Sequence, residues 1–392
     1  MRSLIVVLAL LFTVASFAQQ PSLYRLERIV VAGPTGAEDI VRAEARLEEE
    51  QSYTEEDFRQ AVYRVRRLPF VADAAWRIEP GLTAGSTTLV IQIVATSPVF
   101  YDVDTRSEIL VGNDDYDSDS DAVVGGRLLL GELGTFEGVL GARDGLGGGL
   151  TYRAYDLLGR GGFATASINY RHKTEGQRHD PNLALSIGWP LSRQQSVIAT
   201  VSREKSRFHR EDTTNDVTLT DRDTLESASL RWWFESTDDP NFARRGTSVS
   251  AGPIWSRAIR VTEVFDTTED EIVGTETWAE RFGLGADLTT WRPLTARNAG
   301  FLRLRSESTT LEDMRFLSGE ALVGIAHDFH TPDAEQLQSF RARIELGAGY
   351  RMLSVNEPGL DHLRADGAIA EGAFVLRNRW GTVRLTATYS AQ

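Results

Sequence analysis

Over the last three-fifths of this 392-residue chain, short segments alternate apolar and polar residues one for one. Val383, Leu385, Ala387 and Tyr389 share one face of such a segment; Thr382, Arg384, Thr386, Thr388 and Ser390 share the other. Phe340, Ala342, Ile344 and Leu346 oppose Arg341, Arg343 and Glu345, and Ala164, Ile168 and Tyr170 oppose Thr165, Ser167, Asn169 and Arg171. A period of two is a β-strand with one apolar face. Both a soluble sandwich and a membrane barrel can use it, and the polar face separates them. A sandwich exposes a mixture of Lys, Glu and Thr. Here the polar face is Arg, Ser, Thr, Gly and acids, and the whole chain has two lysines, Lys173 and Lys205. Repeated strands of this kind fit a barrel with a lipid-facing wall and a polar lumen.

The N-terminus points to export. Met1-Arg2-Ser3 is a basic start, Leu4 to Val14 is apolar except for Thr13, and Ser16-Phe17-Ala18 supplies small residues for cleavage after Ala18. The apolar run is too short to span a bilayer. The chain has no cysteine, which excludes a lipoprotein signal, disulfides and thiolate metal sites. A formal net charge of -14 argues against nucleic acid as a partner, since phosphate binding needs a basic face. The acids gather in stretches such as Asn113 to Asp121 and Asp266 to Glu271, which read as long external loops.

Composition shifts near Ser97-Pro98. Residues 22–96 read as a compact α/β unit: a strand through Leu26, Ile29, Val30 and Val31, then a helix from about Ala37 to Glu49. A second helix starts at the capping box Thr54-Glu55-Glu56-Asp57, with Phe58, Ala61, Val62 and Val65 on its apolar face. Leu68-Pro69-Phe70-Val71 leads into a strand around Ala74 to Ile78, and Thr87 to Val94 forms the last strand. Cut near Ser97, this unit is expected to fold alone. Beyond it, segments near 146–153, 161–171, 181–190, 194–204, 224–235, 246–257, 277–291, 298–307, 320–329, 339–351, 366–377 and 380–390 read as strands, with one further pair from 99–143. At about twenty residues per strand, the expectation is about 14 antiparallel strands, with 12 or 16 as neighbouring even values.

The order β-α-α-β-β with the junction Leu68-Pro69-Phe70-Val71 and a hairpin at Pro80-Gly81 resembles a POTRA domain. Followed by a barrel, it resembles the BamA/TamA-like outer-membrane surface-antigen superfamily. Tyr155 to Gly162 looks like that family's NLFGRGQ turn, and Asp238 to Thr247 like its D-x-P-x-FP-x-RGT segment, where an Arg points into the lumen. The resemblance covers nearly the whole mature chain, most weakly at 101–145. The family's sixth-loop VRGF/Y motif is degenerate here. One register places it at Met314-Arg315-Phe316, without the glycine. Another places it at Leu322-Val323-Gly324-Ile325, where the Arg has become Val323. The first keeps Ala321, Val323 and Ile325 on the lipid face. In that register Asp328 and Glu345 point inward, where the family carries the acids that lock its loop arginine, so Arg315, Asp328 and Glu345 form a candidate lumen lock. Equally, Arg315 can be an ordinary loop or lumen arginine.

Arg303, Arg305, Arg341 and Arg343 alternate with apolar residues and face the lumen beside Glu307 and Glu345. They read as a structural ion-pair network or as a selectivity ring for an anionic solute. Trp189, Trp232, Trp233, Trp255, Trp278, Trp291 and Tyr170 mostly sit at strand ends, as an interfacial girdle would. Enzymatic signals are weak. His327 and His330 fall on opposite sides of a strand, and Asp117-Ser118-Asp119-Ser120-Asp121 lacks the glycine and glutamate of a calcium loop. No Gly-x-Ser-x-Gly elbow occurs. The expectation is therefore a non-enzymatic chain without metal or cofactor: a signal peptide at 1–18, a periplasmic POTRA-like unit at 22–96 and a transmembrane barrel at 99–392. The resemblance implies a Gram-negative outer-membrane location, bilayer lipid around the wall, and insertion, assembly or translocation of β-rich client polypeptides, with periplasmic partner proteins on the POTRA unit. A passive pore or structural barrel that has lost translocase function is the alternative. The final strand ends in Ser-Ala-Gln rather than the terminal aromatic usual for barrels, which leaves its closure against the first strand and its own insertion signal as open questions.

Overall fold

The computed structural model describes residues 22–391 apart from 34–35, 112–115, 132–133, 144–145, 158–160, 173–176, 180, 213–216, 267–270, 312–313, 331–336, 339 and 357–362. The expected leader, 1–18, lies outside the described residues. The chain opens with β1 (Leu23–Ala32), α1 (Glu38–Ala45), β2 (Ser52–Thr54), α2 (Glu55–Val65), β3 (Val71–Pro80) and β4 (Ser86–Ala95). Their sheet runs β2-β1-β4-β3, with β1 parallel to β4. The α2 start is the capping box read from the sequence: the Thr54 hydroxyl accepts from the Asp57 amide, and the Asp57 carboxylate accepts from the Thr54 amide. Helix α1 stops at Ala45 rather than near Glu49. Arg46 takes a left-handed conformation (φ 51), and the chain turns Leu47 into the core. Phe58, Val62 and Val65 of α2 and Ile40 and Val41 of α1 pack on Leu26, Ile29, Leu89 and Ile91.

Sixteen further segments form one sheet that closes on itself. They are β5 (Val99–Val111), β6 (Tyr116–Leu129), β7 (Thr135–Arg143), β8 (Leu146–Leu157), β9 (Gly162–His172), β10 (Gln177–His179), β11 (Asn182–Pro190), β12 (Gln195–Asp212), β13 (Val217–Glu235), β14 (Gly246–Asp266), β15 (Glu271–Pro293), β16 (Asn298–Leu311), β17 (Met314–Asp328), β18 (Phe340–Asn356), β19 (Leu363–Asn378) and β20 (Gly381–Ala391). Segments β10 and β11 lie in line between β9 and β12. Counted as one, they leave fifteen staves out of the sixteen segments.

The expected even number is corrected. Residues 99–143 fold into three strands, β5, β6 and β7, instead of two. An odd count with antiparallel neighbours forces the first and last strands to run the same way, and β20 does pair β5 in parallel, from Gly381 opposite Tyr101 to Ala391 opposite Val111. That seam has eleven register pairs against seven between β9 and β11. Parallel pairing is slightly weaker per residue, and the seam is longer than the β9–β11 joint but shorter than the 21-pair β14–β15 joint. The first and last strands do close the wall, which answers the question raised by the Ser-Ala-Gln end of the final strand.

Strand length varies around the wall. Nine to eleven tilted residues cross a bilayer. Strands β7 and β11 have 9 residues each, whereas β14 has 21 and β15 has 23, so one side of the wall projects well past the lipid. Of the acid-rich stretches read as loops, 116–121 lies in β6, Asp266 and Glu271 are the facing ends of β14 and β15, and 113–115 and 267–270 lie outside the described residues. The outer face carries Leu140, Leu185, Ile187, Leu230, Leu284, Val323, Ile325 and Leu346, all more than half exposed or close to it. Such a continuous apolar belt needs lipid to cover it. Higher on the tall side the outer face turns ionic, with Arg203 3.5 Å from Glu226 and Arg222 3.0 Å from Glu263.

The seam is testable because the chain has no cysteine of its own. Thr105 and Leu385 are register partners on the outer face. The double variant Thr105→Cys, Leu385→Cys is expected to form a disulfide on mild oxidation, read as loss of free thiol and a gel-mobility shift. Thiols that stay free in the folded barrel would contradict the parallel seam.

Candidate functional site

The base of the lumen is filled by a buried charge network, and three parts of the chain build it. The first is the inward face of β17 to β20. Along β18 the inward residues are Arg341, Arg343 and Glu345, while Ile344 and Leu346 face out. The second is the turn between β13 and β14. Asp239 accepts the amides of Asn241 and Phe242 at 2.9 Å, and Asp238 accepts those of Arg244 and Arg245 at 2.8 and 3.2 Å. These carboxylate caps hold the turn in a tight shape and push Phe242 and Ala243 into the barrel, where both are buried. The third is the α/β unit, which contributes Asp73 and Arg66.

Arg343 is the centre. Its side chain is 0% exposed, and it donates to both oxygens of Asp328 at 2.7 and 3.1 Å. The same guanidinium donates to the carbonyls of Ala243 and Phe242 at 2.8 and 3.0 Å and lies against the rings of Phe242 and Trp291. A buried guanidinium is tolerable only when its forks are filled this way. Next to it, Arg341 donates to Asp239 at 2.7 Å and to Asp73 at 3.0 Å, bridging the turn to the α/β unit. Asp73 also sits 3.2 Å from Arg66 and accepts the Gln338 amide at 2.7 Å. Higher up, Glu345 takes Arg384 at 3.3 Å, and Arg303 pairs with Glu371 at 2.9 Å. Arg305 reaches Asp287 at 3.2 Å in a wetter part of the lumen.

The α/β unit lies across this mouth. Its contacts run around the ring: Arg46 to the Ser192 carbonyl (3.0 Å), Asp57 to Arg193 (2.8 Å), Arg67 to the Thr237 carbonyl (2.6 Å), the Val71 carbonyl to Arg377 (3.2 Å) and the Pro69 carbonyl to Arg127 (2.5 Å). Together with the β13–β14 turn it closes that end of the barrel.

The structure does not bring the three candidate lock residues together. Arg315 is exposed near the opposite rim, between Thr310 and Asn356 in register. Asp328 lies thirteen residues further along the same strand, about 40 Å away at strand rise. Asp328 and Glu345 are buried at the base, and the arginine opposite Asp328 in register is Arg343. The tryptophan girdle needs a correction too. Trp291 faces inward, buried against Phe301 at 5.0 Å, because it shares the strand phase of Asp287 and Thr289. Trp233 also turns inward, into the junction beside Arg67 and Arg193. Sequence reasoning missed Asp73, Asp239, Glu371 and Arg384. The caps at Asp238 and Asp239 were visible as turn chemistry, but their inward placement depends on the closed wall.

The pair at the centre gives one expected outcome. Arg343→Ala leaves the buried Asp328 carboxylate with Arg244 alone, at 3.2 Å, and is expected to cost less than the about 3–5 kcal/mol of a fully stranded charge. Asp328→Asn should cost a similar amount, and the double variant less than the sum. Arg315→Ala should stay within about 0.5 kcal/mol. Urea unfolding of the barrel in detergent micelles reads all four; strictly additive losses would mean that the pair is uncoupled.

A second outcome concerns pH. Burial alone would raise the Asp239 carboxyl, but Arg341, followed by Arg377 and Arg66, holds it well below the usual carboxylate range. A carboxyl depressed in the fold contributes stability in full above its unfolded value, about 3.9, and loses it as pH falls through the folded value. The stability gap between wild type and Asp239→Asn is therefore expected to stay constant from pH 7 to pH 5 and to shrink only below about pH 4. A gap that closes between pH 7 and pH 5 would contradict this account.

No protein-family model matches the sequence, and no curated protein matches it. Among solved structures the chain is similar to BamA from Haemophilus ducreyi lacking POTRA domains 1-3, with TM-score 0.41 and 10% identity over 93% of this chain and 85% of that one. It is similar to CdiB from Escherichia coli, with TM-score 0.45 and 11% identity over 94% and 72%. The copper transporter OprC also matches, with TM-score 0.34 and 10% identity over 93% and 68%.

Proposed function

We propose that this chain is a Gram-negative outer-membrane protein that takes part in insertion, assembly or translocation of β-rich polypeptides, without covalent chemistry. In this reading the α/β unit is a POTRA-like module in the periplasm. The observation that supports it is an open sheet edge held beside a closed barrel mouth. Among the described residues, strand β3 is the last strand of its sheet and pairs only with β4. Its first residues are tied to the barrel through Val71 and Asp73, while Arg77 and Pro80 further along are exposed. An unpaired edge of this kind recruits an extended client strand by β-augmentation. Periplasmic partner proteins would meet the same unit on its solvent side.

A second reading, a passive pore or structural barrel, draws on Arg315, which stands outside the lumen and forms no lock with Asp328 or Glu345. The filled base weighs against an open pore, since solute would have to pass Arg343, Phe242 and the α/β unit.

Reconstitution separates the two. Proteoliposomes holding the full chain are expected to fold a urea-unfolded outer-membrane barrel polypeptide several-fold faster than protein-free liposomes, read by protease resistance. A photo-crosslinker replacing Arg77 should capture that polypeptide during folding. Steady ion conductance with no acceleration and no crosslink would favour the passive barrel.

A further inference from the structure

Between the α/β unit and the inner ends of β8, β9, β12 and β13 lies a cavity of about 310 Å³. That is room for several waters, or for one small polar group with a few waters around it. Its wall is unusually basic: Arg46, Arg64 and Arg67 come from the α/β unit, Arg153 from β8 and Arg193 from the β11–β12 turn. Three carboxylates share the wall, Glu44, Asp156 and Glu235.

The pairing does not use up the positive charge. Arg67 takes Glu235 at 3.2 Å, Arg193 takes Asp57 just outside the cavity at 2.8 Å, and Arg46 is 3.7 Å from Glu44. Asp156 is turned to the Gly161 amide at 2.8 Å. Among the described residues, Arg64 and Arg153 have no carboxylate within ion-pair distance, and the carboxylate that acts on both, Glu44, is shared with Arg46 and Arg67. Arg64 is buried and donates only to the carbonyls of Glu44 and Ala45. Arg153 has neutral partners: the Thr165 hydroxyl at 3.3 Å, the Tyr155 hydroxyl and the face of Phe163. Among the described residues, the buried Arg46 Nε has no acceptor. A buried donor without a partner marks a place where an acceptor belongs.

We propose that this cavity binds a phosphate group, held between Arg46 and Arg64 of the α/β unit and Arg153 of the barrel wall. Guanidinium forks match the paired oxygens of phosphate, and arginines on both sides of one gap whose bonds go mainly to neutral oxygens can share a single oxyanion. The charge environment agrees with this. Burial, followed by the nearby Arg46, pulls the Arg64 guanidinium down to about 9, and burial pushes the Glu44 carboxyl up despite the arginines around it. A bound phosphate group relieves the repulsion among the arginines and ties the α/β unit to the wall. Free phosphate and a phospholipid headgroup offer the same chemistry. This site stands apart from the client-binding reading above, and its test needs no client.

The test uses the full chain in a nonionic, phosphate-free detergent. Inorganic phosphate, against chloride at matched ionic strength, is expected to raise the unfolding temperature of the wild type by a few degrees in a saturable way. Equilibrium dialysis with labelled phosphate should then give about one site per chain. Arg153→Gln and Arg46→Gln, each made alone, should keep a folded barrel on heat-modifiability gels and lose the shift. Arg153→Lys, which keeps the charge without the fork, should retain part of it. If phosphate gives no shift but phosphatidylglycerol added to the micelles does, with the same loss in both variants, a lipid headgroup is the source of the phosphate group. The proposal is overturned if neither probe shifts the wild type, or if wild type and both glutamine variants shift equally. Should one variant fail to fold, the other decides, since they lie on opposite sides of the cavity.

Discussion

The burial of one guanidinium organises the closed end of this molecule. Arg343 sits with 0% exposure on a strand whose outer neighbours face lipid, and removing such a charge from water costs several kcal/mol unless every donor finds an acceptor. The wall provides Asp328, directly opposite, and Glu345 at the longer distance of 3.7 Å. The remaining donors cannot turn to the wall carbonyls, which are spent on the ladder. The β13–β14 turn supplies their acceptors, the carbonyls of Phe242 and Ala243. Once the turn is drawn inward, its Asp239 meets Arg341, and Arg341 meets Asp73 of the α/β unit. Closure of the mouth follows from satisfying the wall's own charges.

Fifteen staves change the geometry of the chain's path. With an even count the first and last strands run antiparallel. Here β5 and β20 both run away from the α/β unit, so Ala391 lies at the opposite rim, beside Val111. The linker from β4 and the hairpin between β19 and β20 consequently meet at one place: the Ser97 amide donates to the Arg379 carbonyl at 2.7 Å, and that of Tyr101 to the Trp380 carbonyl at 2.8 Å. The seam is thereby tied to the junction with the α/β unit at its base.

Much of the wall was legible because a period of two survives wherever one face meets lipid and the other meets charge. From Leu146 onward every expected strand exists, and most are longer than the apolar alternation indicated, because on the tall side both faces become polar above the lipid, as in β13 and β14. Residues 99–143 hid a strand for a related reason. Acids at Asp117, Asp119 and Asp121 imitate a loop, and Gly125-Gly126 imitates a break, yet both lie inside β6. The site was harder to read. Arg341, Arg343 and Glu345 gave their direction by phase alone, but their partners come from a turn and from another sheet, separations of 100 and 268 residues that local patterning does not reach. Arg315 shows the opposite failure: a motif-based register gave it a role in the lumen, and strand pairing puts it at the far rim.

Two closures act in series at the base, and their chemistry makes them separable. If the α/β unit moved away, Arg341 would keep Asp239 and Arg343 would keep Asp328 and the two turn carbonyls, so neither guanidinium would be stranded. Asp73 would lose Arg341 but retain Arg66 within its own unit, at 3.2 Å. Withdrawing the turn is different in kind. It would take both carbonyls from Arg343 and the Asp239 carboxylate from Arg341 in a single step, leaving two buried cations short of acceptors. The inner closure is therefore the costlier one to open. Any route through this barrel must either pass around the turn or supply oxygens in place of those of Asp239, Phe242 and Ala243.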